Sequence, residues 1–553
     1  MKKYAIGLDF GTLSARAVLI DDEGSQLAES VKEYPHGVLD KALPSGRPLG
    51  VDWALQVPAD YQECLIDTVS EVVKGSGVKP EEVVGLGVDF TSCSVMPVLA
   101  DGTPLCELKE FRDEPHAYVK LWKHHAAQYC ADILNEKAES MKEPWLPYYG
   151  GKISSEWALP KIMQIVKEAP EVYEKMDRFI ECGDWVIWKL CGKERRSVCN
   201  AGYKLQWRAE EGYPSKAFMK ALDERLENFA EEKLSSDLYP VGSLAGYLTP
   251  EMAARCGLTE KTAVAVEIVD AHASVPACGI DGAGKMLMAM GTSTCHLLLG
   301  DEEKPVPGIG GVVKDGILPG FYAYEAGQSC VGDHFSWFIE NCLPASYEKE
   351  AKEKGLNLHQ LLRQKAGKLI PGESGLLALD WWNGVRSPYM DFDLSGVMLG
   401  MTLQTRPEEI YRSLIEATAY GTRRVIESFT DRGVAVNELY AGGGIARKDP
   451  MTMQIYADVC NREIHIADSS QSGALGSAVL GFYAGGLSGD MGEIVRRIGR
   501  AGGKVYRPIP ENAKAYEKLY REYEELSEYF GNGGNDVMHR LKAGKLAAKG
   551  KRS

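Results

Sequence analysis

"GLDFGTLSARAVLI", residues 7–20, decides the reading of the chain. Residues 4–8, Tyr-Ala-Ile-Gly-Leu, predict a buried strand, and Ala15–Ile20 predict a second one. A tight hairpin needs as few as about two turn residues. Here the hinge carries Asp9, Gly11, Thr12 and Ser14, with Arg16 just beyond. Two aliphatic strands would hold a carboxylate, a glycine, two hydroxyls and a guanidinium at one sheet edge.

The pattern returns at residues 285–300, "KMLMAMGTSTCHLLLG", where an apolar strand, a Gly-Thr-Ser-Thr hinge and a second apolar strand follow one another. Backbone N–H groups at a tight turn, helped by hydroxyls, form a concave anion site, and glycine lets a phosphate approach the main chain. Two such hinges, each near the start of one half of the chain, predict two similar domains facing each other across a cleft. The chain has no G-x-x-x-x-G-K-[ST] loop, and neither hinge opens a helix as a dinucleotide fingerprint requires. A third glycine element, "YAGGGIARKDPMTMQIYADVC" at 440–460, runs from a strand into Gly442-Gly443-Gly444. Asp449-Pro450 then predicts a capped helix start. A bare glycine shelf can accept a flat base or a ribose.

Length and composition agree with two large domains, because 553 residues exceed the roughly 250–300 at which single cores stop growing. A net charge of −15 argues against a nucleic-acid or membrane-surface partner. Thirteen cysteines without Cys-x-x-Cys spacing predict reduced thiols in the cytoplasm. The uncharged stretch 469–489 holds six glycines and suits a tightly packed helix and turn, not a membrane span. Residues 345–369 and 512–530 predict solvated helices. The basic tail 540–552 predicts a frayed terminus, with docking onto the acidic body or onto a partner subunit left open.

Asp9-Phe10-Gly11-Thr12, Gly291-Thr292-Ser293-Thr294 and Gly442-Gly443-Gly444 resemble, in order, the phosphate 1, phosphate 2 and adenosine motifs shared by sugar kinases, heat-shock chaperones and actin. "SGVMLGMTLQTRPEEIYRSLIEATAYGTRR" (395–424) resembles the second signature of the FGGY carbohydrate kinases, and "SEWALPKIMQI" (155–165) is a loose version of the first. The resemblance runs from about residue 4 to 530. It implies an α/β fold of two actin-like ATPase (ribonuclease H-like) domains flanking a central cleft. The expected division is 1–284 for a mainly sugar-binding domain, 285–500 for a mainly ATP-binding domain and 501–553 for a C-terminal helix and basic tail. "VDFTSCSVMPV" (88–98), "VKLWKHHAAQ" (119–128), "NAGYKLQW" (200–207), "VDAHAS" (269–274) and "LALDWWNGVRSPYMD" (377–391) resemble the branch of the family that phosphorylates L-ribulose at O5 in arabinose breakdown.

Asp270 follows the apolar run 263–269 and precedes Ala-His-Ala-Ser, so it is expected at a strand's C-terminal end. The resemblance makes it the catalytic base, with His272 beside it as a packing histidine. By the same resemblance Asp9 lies near Mg²⁺, reached through water. Thr12, Ser14 and Arg16 face the transferring phosphate, and Gly291, Thr292 and Ser293 hold its other side. Gly443 and Gly444 meet the nucleotide of ATP, with Lys448 in reach of it. For the sugar the candidates are Ser92, Trp122, Lys204 and Glu325, with Asp270. The implied partners are a small sugar and ATP, with a homodimer left open. A kinase for another ketopentose or a pentitol (D-ribulose, ribitol, xylulose), or a non-catalytic nucleotide-gated sensor of the same fold, would share every nucleotide motif.

Overall fold

The computed structural model describes residues 2–467, 471–499 and 501–550. The opening hairpin forms as expected: strand Tyr4–Phe10 pairs antiparallel with Ser14–Asp21, and Gly11 N donates to Ser14 O at 3.0 Å to close the hinge. These strands sit in a seven-stranded sheet whose order is Leu244–Tyr247, Ala263–Ala265, Val83–Phe90, Tyr4–Phe10, Ser14–Asp21, Gln26–Glu33, with Ile268–Val269 also paired to Val83–Phe90. The second hairpin, Lys285–Met290 with Thr294–Gly300, opens an equivalent seven-stranded sheet, in the order Gly311–Lys314, Tyr322–Gln328, Thr294–Gly300, Lys285–Met290, Glu438–Gly442, Ile464–Ala467, Ala501–Tyr506. In both sheets the first strand of the hairpin has an antiparallel partner on one side and a parallel one on the other.

Parallel register does the positioning. Asp9 lies opposite Asp89, and Ile268 opposite Asp89 on the other side, so three adjacent strands end in Asp9, Asp89 and, just past Val269, Asp270. Side chains at the ends of neighbouring parallel strands necessarily converge. A four-stranded sheet, Leu55–Gln56, Val119–Lys120, Val95–Val98 and Arg178–Glu181, extends the first half, and the helices Gln128–Met141 and Ala158–Glu168 pack into the core beside it.

The stretch 469–489 is the helix Ser472–Ala484, with residues 468–470 outside the described ones. Although late in the chain, this helix lies flat on the first sheet. A Cβ on Gly7 would stand 1.8 Å from Ala474 O, one on Gly87 1.7 Å from Ser477 O, and one on Gly85 2.0 Å from Gly481 O. Helix and sheet therefore touch backbone to backbone. The helix also crosses Asp270–Ala277, where a Cβ on Gly476 would meet Ala273 O at 1.8 Å.

Three expectations change. Residues 345–369 form two helices, Ala345–Glu353 and Leu358–Ala366, because Gly355 at φ 63° ends the first and Asn357 opens the second with a capping box. The helix Pro510–Gly531 buries one face through Tyr516, Tyr520 and Tyr523, where solvation was expected. The tail does not fray at 540: it belongs to the helix Val537–Gly550, docked by buried Met538, by His539 on Asp391 at 2.8 Å and by Lys542 on Asp393 at 2.8 Å. Residues 551–553 lie outside the described ones. Among the described residues no helix is long and apolar enough to cross a membrane.

The backbone contact yields a stability prediction. Gly87→Ala is expected to cost at least about 3 kcal/mol, the upper part of the overpacking range, because both neighbours are main chain and cannot rotate away. Gly282→Ala, where nothing lies within 4 Å, should stay within about 0.5 kcal/mol of the parent. Urea unfolding midpoints measure both, and equal midpoints would refute the close approach.

Candidate active site

The cleft between the two sheets holds a cavity of about 350 Å³. From the first half Ser92, Trp122, Lys204 and Asp270 reach it, and from the second Thr292, Ser293 and Glu325. Each comes from an element whose local sequence explains its place. Lys204 ends the helix Val198–Leu205, whose N-terminus is capped by Ser197. Glu325 lies mid-strand in Tyr322–Gln328, opposite Leu297 and Gly311. Asp270 is the first residue of its helix and accepts from Ala271 N at 2.7 Å.

The charges are arranged unequally. Burial pushes the Asp270 carboxyl up to about 7, helped by the negative charges of Asp9 and Glu325 and opposed by the Ala271 N–H and Lys204. Burial also raises Glu325, but Lys204 at 3.5 Å and a 2.9 Å hydrogen bond from His272 outweigh it and hold this carboxyl well below the usual range. Burial lowers the His272 pKa against the pull of Glu325, and its other ring nitrogen meets Cys199 Sγ at 3.3 Å. Glu325 is therefore held as an anion while the Asp270 carboxyl is poised near neutrality, the separation that acid–base chemistry uses.

Asp9 is raised by burial, against the Asp89 hydrogen bond and Arg16, whose guanidinium lies 3.7 Å away. Asp89 is fully buried and raised well above the ordinary range by burial and by Asp9, while its Oδ2 accepts from Ser477 Oγ at 2.6 Å. The start of the Ser472–Ala484 helix closes over this pair: a Cβ on Gly473 would lie 3.1 Å from Asp9 Oδ2 and 3.3 Å from Asp89 Oδ2. Two hard carboxylates forced together suit a divalent cation of the Mg²⁺ class. Thr12 takes the Trp122 Nε1–H on its hydroxyl at 3.2 Å and the Gln56 Nε2–H on its carbonyl at 2.7 Å, which ties the first hinge to the indole that lines the cavity. Ser14 begins the second strand of that hinge.

The second hinge is fixed by the loop that follows Glu325. Val331 N and Asp333 N donate to Thr292 O at 2.8 and 3.2 Å, and Gly332 N donates to Gly291 O at 3.0 Å. Gly443 has φ 95°, and a Cβ there would stand 2.2 Å from Met290 O, so the glycine shelf presses on the end of the second hairpin's first strand. Gly444 faces open space, and Lys448 is exposed at the end of the short helix Gly444–Lys448. Asp449 caps the next helix through Thr452 N, as its sequence predicts. Gly443, Gly444 and Lys448 do not line the cavity that holds Asp270.

Four residues escaped the sequence reading. Asp89 required the parallel register. Glu156 and Arg386 line the cavity from the two halves. Lys161, wholly buried, donates to Cys93 O at 2.7 Å and Leu121 O at 2.8 Å, and so fastens the Ser92 loop to the Trp122 loop. Ser92 Oγ is buried with no partner among the described residues, a hydroxyl left for a ligand. Asp391, Asp393 and His539 bring ligand atoms within 4.8 Å of one another, but His539 and Lys542 already pair with the two carboxylates, and the cluster is satisfied as an ion network.

This fold and site define a carbohydrate kinase. The N-terminal domain model of the FGGY family of carbohydrate kinases matches residues 4–275 and the C-terminal domain model residues 286–485, and the chain belongs to this family. The fold is the actin-like ATPase fold: a xylulose kinase from Rhodospirillum rubrum superposes with a TM-score of 0.79 at 22% identity, over 95% of this chain and 98% of that one. Among curated proteins, a ribulokinase from Bacillus licheniformis is 56% identical over 96% of this chain and 97% of its own length. A ribulokinase from Geobacillus thermodenitrificans is 53% identical over 99% and 98%.

The raised Asp270 carboxyl sets a pH dependence. The base must be ionised, so kcat/KM for the sugar is expected to fall about tenfold per pH unit below about 7 and to level off above it. Asp270→Asn should lower kcat by about 10²- to 10⁴-fold and remove that limb. An unchanged pH–rate profile in the variant would exclude Asp270 as the base.

Proposed function

We propose that this chain transfers the γ-phosphoryl group of ATP to O5 of L-ribulose, yielding L-ribulose 5-phosphate and ADP for arabinose breakdown. The observation that carries this reading is the cavity itself, where a carboxyl poised near neutrality faces the hydroxyls of the second phosphate hinge, and a Lys–Glu pair supplies both a donor and an acceptor to a polyhydroxylated substrate. The ribulokinase relatives supply the choice of sugar.

In this reading the sugar lies between Ser92, Trp122, Lys204 and Glu325, with its terminal hydroxyl toward Asp270. Asp270 takes the O5 proton as O5 attacks the γ-phosphorus, and the bond to the β,γ-bridging oxygen breaks to release ADP. Thr12, Ser14 and Arg16 from one hinge, and Gly291, Thr292 and Ser293 from the other, flank the phosphoryl group in transit. Gly443 and Gly444 bear the adenosine, and Lys448 meets the nucleotide from the solvent side. Asp9 and Asp89 would hold Mg²⁺, Asp9 through water, and the metal supplies charge neutralisation on the phosphates. Lys161 acts by keeping the two sugar loops in register. The thirteen unpaired cysteines, of which Cys342 alone is exposed, support a reducing, cytoplasmic setting.

An ATP-coupled assay across L-ribulose, D-ribulose, ribitol, D-xylulose and glycerol tests the substrate. L-ribulose should give the highest kcat/KM, because each mismatched hydroxyl leaves a buried group unpaired at a cost of about 1–3 kcal/mol, or about 5- to 150-fold. Lys204→Ala and Glu325→Ala should harm L-ribulose turnover more than the basal ATPase rate. A better rate with glycerol or D-xylulose, or an unchanged specificity ratio in both variants, would overturn the choice of sugar.

A further inference from the structure

Arg386 stands on the irregular segment between the strand Leu377–Leu379 and the loop 390–393, and its side chain lines the Asp270 cavity together with Thr292, Ser293 and Glu325. Its backbone is anchored on both sides. Ser387 N donates to Gly327 O at 3.0 Å, Ser387 Oγ donates to Gly308 O at 2.5 Å, Gly327 N donates back to Ser387 Oγ at 3.2 Å, and Met390 N donates to Arg386 O at 2.6 Å. The guanidinium packs by Cδ and Nη1 over Gly327, where a Cβ would meet them at 3.4 and 3.7 Å. The residue is thus rigidly presented from the strand that carries Glu325.

Its charge, however, is unspent. Among the described residues the Arg386 guanidinium has no carboxylate within the 4.0 Å ion-pair distance and no hydrogen-bond acceptor, although its field reaches Glu156 and Glu325. The nearby anions already have partners: Glu325 is held by Lys204 and His272, and Glu156 by His125 at 3.1 Å. A guanidinium with five free donors beside a cavity is a fork for a planar or tetrahedral anion. A ketopentose carries no charge. The anions that enter this cavity are the phosphoryl group in transit and the phosphate of the product.

We propose that Arg386 is a catalytic residue that meets the transferring phosphoryl group from the second half of the chain, neutralising its non-bridging oxygens while O5 attacks, and that it then holds the phosphate of the sugar phosphate until release. No bond to Arg386 is made or broken. The proton still goes to Asp270 and the leaving group is still ADP. The assignment rests on the phosphotransfer reading above and adds to it an arginine from the second half of the chain.

The test uses the full-length chain, with wild-type turnover of L-ribulose measured first in the same assay. If the wild type does not phosphorylate L-ribulose, the substrate reading falls, whatever Arg386 does. With the wild type active, Arg386→Gln should lose about 10³-fold in kcat, the scale of a charge-neutralising arginine in phosphoryl transfer. Binding of L-ribulose, followed by fluorescence of Trp122 and Trp157 at the cavity, should stay within about threefold, whereas L-ribulose 5-phosphate should weaken by about tenfold or more, as loss of a charge-assisted contact requires. Added ethylguanidinium should restore part of the rate. A kcat within about threefold of wild type, or equal weakening of sugar and sugar phosphate, would overturn the assignment. If Arg386→Gln melts below the assay temperature, Arg386→Lys decides: it keeps the charge without the fork and should retain phosphosugar binding while losing at least about tenfold in kcat, and wild-type kcat in that variant would equally overturn it.

Discussion

The helix Ser472–Ala484 meets the first sheet backbone to backbone at three glycines, and the rest of the site depends on that contact. Gly7, Gly85 and Gly87 on two neighbouring strands remove the side chains that would hold the helix off, so its carbonyls at 474, 477 and 481 rest on the sheet. Sheet–helix layers usually stand about 10 Å apart on interleaved side chains. Here the missing layer lets Ser477 reach Asp89 and sets the helix start over Asp9. A segment from the end of the chain therefore seals carboxylates from its beginning. Ser472–Ala484 also crosses Asp270–Ala277, and Asp270 opens one of the two crossing helices.

The same sealing explains the electrostatics. Asp9, Asp89 and Asp270 end three adjacent strands, and all three carboxyls are raised chiefly by burial. For Asp270, a folded value near 7 against the model-peptide value of 3.8 means that its contribution to stability is fully present below about pH 4 and is lost as pH rises through about 7. At neutral pH the fold holds an ionised carboxylate it would be more stable without. That cost is the counterpart of a carboxylate with no ion-pair partner among the described residues. Glu325 shows the opposite solution a short distance away: Lys204 and His272 hold it anionic, suited to accepting hydrogen bonds and unsuited to accepting a proton.

Much of this was legible in local sequence because local geometry carries it. The two glycine–hydroxyl hinges, the glycine shelf and the Asp449-Pro450 helix start are each written in consecutive residues, and Asp270 stands at a strand end that apolar patterning predicts. Asp89 was invisible for a different reason. Its importance comes from a parallel register between strands about eighty residues apart, and nothing in "GVDFTS" announces that register. Arg386 lies on an irregular segment whose path is set by hydrogen bonds to Gly308 and Gly327, and periodicity has no purchase there. Fraying was the first reading of the tail because its partners, Asp391 and Asp393, lie about 150 residues upstream, and basic residues spaced among Ala, Gly and Leu look solvated until the acidic loop that receives them is known.

Glu325 ties the two halves of the chain together. The resemblance assigns sugar binding mainly to the first half, yet Glu325 comes from the second and is gripped by Lys204 and His272 from the first, across 121 and 53 residues of chain. Lys204 and His272 are buried, so separating the halves at this point would strip a largely enclosed carboxylate of its cation and expose all three to water. A sugar that bonds Lys204 and Glu325 together strengthens the same bridge. Lys204 and His272 thus also hold the Thr292–Ser293 turn on the Asp270 cavity, since Glu325 and that turn are joined through the loop 331–333 and the strand pairing of Thr294–Gly300 with Tyr322–Gln328.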